Sequence, residues 1–150
     1  REMLQGGGTG DASVPMAVFR GALRWPADGR ISSGFGRKKH PRFDTYTIQN
    51  GVEIEVPDGS PVVSVHEGQV AFAERFKGYG LMVAVDHGSK HHTVYAHLGE
   101  IAVKVGDHVA AGQSIGTAGP SDEESSGLYF EVRFQGHPED PADWLTRSGH

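Results

Sequence analysis

The sequence predicts an all-β domain built mainly from short antiparallel strands, and three observations support that prediction. The chain holds 22 Gly and 8 Pro among 150 residues, which is well above average usage and favours many short elements joined by turns. Runs rich in β-branched and aromatic residues alternate with these glycines, as is typical of strands. No segment has a long apolar repeat of 3.6 residues with capping residues, so long helices are not expected.

Five segments carry the strand pattern, and each is bounded by turn residues. In chain order they are Pro61–Val65, Gln69–Phe72, Leu81–Val85, Thr93–Ala96 and Leu128–Phe134. Before them, residues 1–22 are predicted to be a short flexible linker that carries the end of an upstream helix or a regulatory segment. The linker prediction rests on the glycine-rich residues 6–10, because glycine loses the most freedom on becoming ordered. The domain itself is predicted to cover residues 23–147.

Charge and composition exclude several functional classes. The chain has 14 Lys and Arg against 19 Asp and Glu, and its longest basic run is Arg37–Lys39, so no nucleic-acid partner is expected. The longest apolar run, Leu81–Val85, is far too short to cross a membrane. Cysteine is absent, which excludes thiol catalysis, disulfides and Cys-ligated zinc. The chain begins at Arg1 without a signal peptide, and we interpret it as part of a longer protein.

Nine histidines without cysteine raise the question of a metal site. The chain contains no His-Glu-x-x-His motif. His92 and His97 are five residues apart on a predicted strand, so strand alternation places them on opposite faces. Taken one at a time, these histidines are better explained as surface or hydrogen-bonded residues than as metal ligands.

Ten short sequence blocks occur in one order along the chain. They are Ser33–Arg37, His40–Pro41, Gln49–Ile54, Pro57–Val62, Gly78–Gly80, Asp86–Gly88, Tyr95–Leu98, Val105–Asp107, Ala111–Gln113 and Leu128–Arg133. This series resembles the LytM/lysostaphin family of zinc endopeptidases, which cut peptidoglycan cross-links, over about residues 23–145. The resemblance implies a lysostaphin-like, mainly antiparallel sheet with a groove.

The departures from the family pattern bear on function. In active members the first ligand block is His-x-Gly-Val/Ile-Asp, and its His and Asp positions are Gln49 and Glu53 here. The last block is His-x-His in active members, where the second His is the third ligand, and those positions are Gly127 and Tyr129 here. Of the family's site residues only His97, which matches a catalytic His that does not bind zinc, is retained.

The substituted residues are poor zinc ligands. Gln49 offers only a neutral carbonyl, which is weak beside imidazole for zinc. Tyr129 would have to lose a proton whose ordinary pKa is about 10. We therefore expect no bound metal, no cofactor and no catalysis. The alternative is an active zinc endopeptidase, in which His40, His91 or His92 would rebuild the metal site.

The degenerate pattern resembles the EnvC-type murein hydrolase activators. That resemblance implies a domain outside the cytoplasm, in the bacterial periplasm, whose vacated groove binds and activates a cell-wall amidase during remodelling and division. The groove residues that it implies are Val52, Glu53, Tyr79, Met82, Tyr95, Tyr129 and Arg133. Alternation along the last strand places Tyr129, Glu131 and Arg133 on one face, with Tyr129 and Arg133 as an exposed aromatic–cation pair.

Other interpretations of the same domain stay open. One is a passive scaffold that binds peptidoglycan without changing any amidase rate. Further partners implied by the resemblance are peptidoglycan and an upstream membrane regulator, which would pull a covering segment off the groove. Met3–Leu4 or Val14–Phe19 are the candidates for that segment, and residues 14–19 are equally compatible with an added edge strand.

Overall fold

The protein folds into twelve strands and two short 3₁₀-helices, seen in a computed structural model that describes residues 14–39, 42–119 and 127–147. The strands are β1 (Arg30–Ser33), β2 (Gly36–Lys39), β3 (Tyr46–Gln49), β4 (Val52–Glu55), β5 (Pro61–Val63), β6 (Gly68–Phe76), β7 (Gly80–Gly88), β8 (His91–Ile101), β9 (His108–Val109), β10 (Ser114–Ala118), β11 (Leu128–Phe134) and β12 (His137–Glu139). The 3₁₀-helices are Met16–Phe19 and Pro141–Asp143.

Ten of the strands form one antiparallel sheet. Its main path runs in the order β9-β6-β7-β8-β11-β4-β1. β10 pairs with both β5 and β8, and β12 pairs antiparallel with the end of β11. Among the described residues, β2 and β3 pair only with each other and form a separate hairpin between β1 and β4 in the sequence. The predicted all-β, mainly antiparallel fold is confirmed.

The predicted strands match the sheet best where alternation is cleanest. The last predicted strand coincides with β11, and Leu81–Val85 and Thr93–Ala96 lie inside the longer β7 and β8. β1, β2, β3, β4 and β12 were not predicted, because none is longer than four residues. The first three also carry polar or exposed residues in place of a buried alternating set.

The hydrophobic core lies against one face of the central strands. Val83 and Val85 of β7, Tyr95 of β8 and Phe130 of β11 are all completely buried. Each such side chain contributes about 1.5–3 kcal/mol when it is removed from water. The alternating partners of these residues therefore face the other side of the sheet, where the candidate site lies.

A buried polar network runs beneath β8. The Tyr95 hydroxyl lies 2.7 Å from the Thr93 hydroxyl, which in turn lies 2.7 Å from Nε2 of His87. Nδ1 of His87 donates to the carbonyl of Glu67 at 2.8 Å. Burial lowers the pKa of His87 from 6.5 to about 4. The imidazole is therefore neutral in the native protein at pH 7.

The segment before residue 23 packs as part of the domain. Met16 is completely buried in the core, and the amide of Gly21 donates to the carbonyl of Trp144 at 2.9 Å. Nε2 of His66 donates to the carbonyl of Val14 at 2.7 Å. Residues 14–22 therefore pack with the domain, and the boundary predicted at residue 23 stays a prediction. Residues 14–19 form neither an edge strand nor a cover over the site described below. The first 13 residues of the predicted linker lie outside the described residues.

In the part of the chain that the structure describes, there is no helix with the length and apolar character needed to cross a membrane.

Candidate functional site

A cavity of about 380 Å³, which we call the groove pocket, opens on the face of the sheet opposite the core. Its lining residues are Thr47, Ile48, Gln49, Asn50, Glu53, Gly78, Tyr79, His97 and Tyr129. Glu53 of β4 pairs with Tyr129 of β11, which pairs with Ala96 of β8. Five positions correspond, by the resemblance, to site residues of the family. Four of them, Gln49, Glu53, His97 and Tyr129, line this pocket together. The fifth, Gly127, is not among the residues that line the pocket.

Gln49 uses its whole side-chain amide in hydrogen bonds to the protein. Its Nε2 donates to the carbonyl oxygens of Ser33, Gly34 and Gly51, at 3.1, 2.7 and 3.0 Å. Its Oε1 accepts from the Ser33 hydroxyl at 3.0 Å. Gln49 therefore ties the base of the β2–β3 hairpin to the loop before β4.

Glu131 is the centre of a cluster that sequence analysis did not recognise. Its carboxylate is completely buried and accepts from the hydroxyls of Tyr129 and Tyr79, at 2.6 and 3.0 Å. It also accepts from Nε of Arg133 at 2.7 Å. We call Tyr79, Tyr129, Glu131 and Arg133 the Glu131 cluster. Alternation had placed Glu131 on the correct face, but it could not show that Tyr79 reaches it from the loop between β6 and β7.

The predicted exposed pair of Tyr129 and Arg133 is corrected by this cluster. Both side chains are only half-buried, and each is tied to Glu131 rather than to the other. Nη1 of Arg133 also donates to the carbonyl of Gly136 at 2.9 Å. The cluster therefore holds an aromatic ring and a guanidinium in fixed positions while it leaves part of each open to a partner.

Burial and Glu131 together keep both tyrosines protonated. Burial is the larger cause and the Glu131 carboxylate the next, and they raise the pKa of Tyr129 and of Tyr79 above the ordinary value of 10. The hydrogen bond that Arg133 donates to Glu131 raises the pKa of Arg133 as well. All three groups thus act as hydrogen-bond donors to one carboxylate.

His97 reaches the groove pocket because the backbone breaks its alternation there. Its φ of 62° lies in the left-handed region, and the pairing of β8 shifts register next to it on both sides. The imidazole lies 5.9 Å from the Tyr129 ring. Since His92 pairs with Arg133, it shares the groove face as well. The prediction that His92 and His97 lie on opposite faces is therefore wrong. An extra residue in β8 next to His97 shifts the alternation, so both side chains lie on the groove face.

An aromatic patch continues from the pocket to the surface. The rings of Tyr129 and Tyr79 are 5.8 Å apart, edge to face. The Tyr79 ring lies 5.8 Å from Phe76, which is half exposed. Phe76 was not among the predicted site residues. Its position at the end of β6, before a Gly-flanked turn, was the available signal.

Two predicted groove residues lie in the core instead. Val52 is 1% exposed and Tyr95 is completely buried, and both pair with the core residue Phe130. Val52 and Tyr95 therefore lie on the same face of the sheet as Phe130. Alternation had already predicted that Phe130 faces the core, and its cross-strand partners follow it. Met82 alternates with the core-facing Val83 and is half-buried on the groove side. Its role in binding stays a prediction.

The groove residues do not fit a zinc ion, which the family resemblance implies. Both ends of the Gln49 amide are engaged with the protein, and the Tyr129 hydroxyl donates to Glu131. Glu53 and His97 are the only carboxylate and imidazole among the described residues that line the pocket. His91 lies away from it, with its ring 4.7 Å from Phe134.

His92, a second histidine of the rebuilt-site alternative, adds no ligand either. Nε2 of His92 lies 3.8 Å from Asp86, and His92 is not among the residues that line the pocket. His40 lies outside the described residues. The donor set that the structure describes therefore gives the rebuilt zinc site no support.

Comparison with known proteins identifies the family. The model of peptidase family M23 matches residues 47–141. The chain is 33% identical to the murein hydrolase activator EnvC of Escherichia coli over 140 residues, which are 93% of this chain and 32% of EnvC. It is 37% identical to the DD-carboxypeptidase/endopeptidase Mpg of Neisseria meningitidis over 114 residues, which are 75% of this chain and 26% of Mpg. The chain thus spans a third or less of these relatives.

The fold agrees with this relationship. A zinc-containing peptidase from Vibrio cholerae superposes with a TM-score of 0.76 at 32% identity, over 85% of this chain and 41% of that one. The family therefore contains both peptidases and activators among the relatives of this sequence. By the family match and by the fold, this chain belongs to peptidase family M23.

Proposed function

We propose that this domain is a non-catalytic member of its family that binds and activates a peptidoglycan amidase outside the cytoplasm. The observation that carries the proposal is the Glu131 cluster. In it Tyr129, at the position of the family's third zinc ligand, is hydrogen-bonded to Glu131. A second support is the similarity to proteins named murein hydrolase activators. The groove pocket then serves as a docking site for a segment of the amidase.

The chemistry of the pocket suits protein binding. Tyr and Arg are the residue types that contribute most to interface hot spots. Tyr79, Tyr129 and Arg133 are held by Glu131, so little side-chain freedom is lost when a partner packs against them. Glu53 adds a carboxylate to the wall of the pocket.

The mechanism of activation is a shift in the amidase population. In this mechanism the groove pocket captures an inhibitory segment of the amidase and frees its zinc site for substrate. Such a partner shifts the equilibrium only by its differential affinity for the open form, and moving it from 1:99 to 99:1 takes about 5.5 kcal/mol. Weakening the groove contact should therefore lower the amidase rate at a given concentration of this chain.

The test measures hydrolysis of purified peptidoglycan by the amidase with and without this chain. Tyr129→Ala and Arg133→Ala should reduce activation by on the order of tenfold or more, as expected for hot-spot residues. Arg30→Ala is the matched control, because Arg30 also pairs with a glutamate, Glu55, but on the exposed edge strand β1. Full activation by both groove variants would refute the proposal.

The alternative function is that of a zinc endopeptidase, and the 37% identity to Mpg is the observation that favours it. Elemental analysis of the domain after zinc loading and dialysis distinguishes the two. About one retained zinc per chain, with cleavage of purified cell wall by this chain alone, would establish the peptidase. A passive scaffold would sediment with peptidoglycan and change no amidase rate.

A further inference from the structure

The β2–β3 hairpin stands apart from the main sheet. Its two strands pair with each other over four residue pairs and with no other strand among the described residues. The Gln49 amide fixes its base through the carbonyls of Ser33, Gly34 and Gly51. The hairpin is therefore an arm with a defined root, held beside the groove pocket.

One face of this arm combines cations with exposed apolar groups. Arg37 pairs with Ile48, and Lys39 pairs with Tyr46. Residues that are direct partners in an antiparallel pair project on the same side, so these four form one surface, which we call the hairpin face. Ile48 is 75% exposed and Tyr46 is 50% exposed. The Arg37 guanidinium stacks 3.8 Å from the centre of the Tyr46 ring, which keeps the charge on that face.

The charge of the hairpin is opposite to that of the rest of the chain. Residues 36–48 carry four basic side chains, at positions 37, 38, 39 and 42, against the single acid Asp44. The whole chain has a net charge of −5. A concentrated positive arm on a negative body attracts an anionic surface and repels a cationic one.

The hairpin face is continuous with the groove pocket. Ile48, a member of that face, lines the pocket together with Tyr79 and Tyr129. A ligand that lies in the pocket and extends past Ile48 would therefore meet Arg37 and Lys39 next.

We propose that the hairpin face is a second docking surface for the amidase, and that it binds an amphipathic protein segment whose apolar side chains are flanked by Asp or Glu. This inference rests on the proposed function and specifies the chemistry of the partner. Carboxylates of the partner satisfy Arg37 and compete with Asp44 for Lys39, whose Nζ lies 3.6 Å from the exposed Asp44 carboxylate. Apolar side chains of the partner cover Ile48. A glycan strand offers mainly hydroxyls and amides, so it would leave the cations without carboxylates and bury little apolar surface against an exposed isoleucine. A protein segment therefore fits this face better.

The experiment measures the affinity of this chain for purified N-acetylmuramoyl-L-alanine amidases of the source organism, taken one by one, over a salt series. The charge variant is Arg37→Glu with Lys39→Glu, and the apolar variant is Ile48→Ser. The matched controls are Lys90→Glu with Lys104→Glu, and Val105→Ser, because Val105 is 61% exposed and lies outside the hairpin. Thermal unfolding of every variant checks that the core is intact.

The charge variant should bind on the order of tenfold more weakly at low salt, with the difference shrinking as salt screens the charges. Ile48→Ser should weaken binding by about fivefold at every salt concentration, since its loss is apolar contact. The control variants should bind like wild type. Wild-type affinity in both hairpin variants, beside a weakened Tyr129→Ala, would overturn this inference and leave the proposed function standing.

Two other outcomes separate the remaining explanations. If the hairpin variants lose sedimentation with purified peptidoglycan sacculi but keep full amidase affinity, the arm binds the polymer and the inference is wrong. If wild-type chain neither binds nor activates any of the amidases, the proposed function fails and the inference fails with it.

Discussion

Removing the Glu131 carboxylate should destabilise the domain more than any exposed charge change. Glu131→Ala leaves Arg133 without its partner at 2.7 Å and frees the hydroxyls of Tyr79 and Tyr129. Breaking a buried ion pair costs about 3–5 kcal/mol. The Arg133 side chain is 26% exposed and the hydroxyls border a pocket, so water recovers part of that loss. We expect a loss of about 3 kcal/mol, and a decrease in Tm of about 6–12 °C for a domain of this size.

Urea unfolding of a matched set of variants checks this magnitude. Glu131→Gln should lose less than Glu131→Ala, because its amide oxygen still accepts from Arg133 and its NH₂ group donates to the tyrosine hydroxyls, which are acceptors as well as donors. Arg133→Ala should lose about as much as Glu131→Ala, since the completely buried carboxylate keeps two hydroxyl donors but loses its cation. Glu55→Ala removes an exposed Arg–Glu pair and should stay within about 0.5 kcal/mol of wild type. A loss for Glu131→Ala no larger than that for Glu55→Ala would show that the cluster adds no stability.

Three further predictions test other parts of the structure. Burial lowers the pKa of His87 to about 4, so between pH 4 and 6.5 the unfolded chain binds more protons than the folded one. The free energy of unfolding should therefore fall by about 2–3 kcal/mol as the pH drops through that window. In urea titrations, His87→Gln should flatten this part of the pH profile. His97→Gly should be as stable as wild type or up to about 1 kcal/mol more stable, because φ is 62° at this residue, but it should reduce amidase activation. Lys90→Gly is the control, since Lys90 has a φ of 69° in a distant turn. It should gain stability and activate normally. Gln49→Ala should speed hydrogen exchange in residues 36–49 while core amides keep their protection, because its bonds hold the base of the hairpin; unchanged exchange there would contradict that role.

Sequence patterns predicted the sheet where burial enforces a two-residue period. β11 was predicted to its exact ends because buried Leu128, Phe130 and Val132 alternate with groove-facing residues. The β2–β3 hairpin escaped prediction because both its faces are polar or exposed, so no burial signal marks it. Its pairing is defined by cross-strand contacts and by the Gln49 bonds, which no local pattern reveals.

The same limit applies to the site. The altered ligand positions Gln49, Glu53 and Tyr129 were identified from the motif order, and the structure brings them together around one pocket. The conclusion that Val52 and Tyr95 line the groove was carried over from the family layout and failed against burial. Alternation also misplaced His97 relative to His92, because a residue with positive φ interrupts β8 and cannot be recognised from a histidine in the sequence.

In the groove, side-chain hydrogen bonds take the place of the metal ion that holds this site together in active relatives, by the resemblance. In active relatives, by the resemblance, a zinc ion would join the positions of Gln49, Glu53 and Tyr129. Here Gln49 bonds to the base of the hairpin, and Tyr129 bonds to Glu131, so two of these three positions are fixed by the protein itself. A single reversion such as Gln49→His would break the hairpin contacts and leave Tyr129 still donating to Glu131. Both changes are needed before a metal gains a second imidazole, and each first costs hydrogen bonds that now hold the groove. The rigidity that a metal would supply is thus already provided by side chains, which is the property that a docking surface requires.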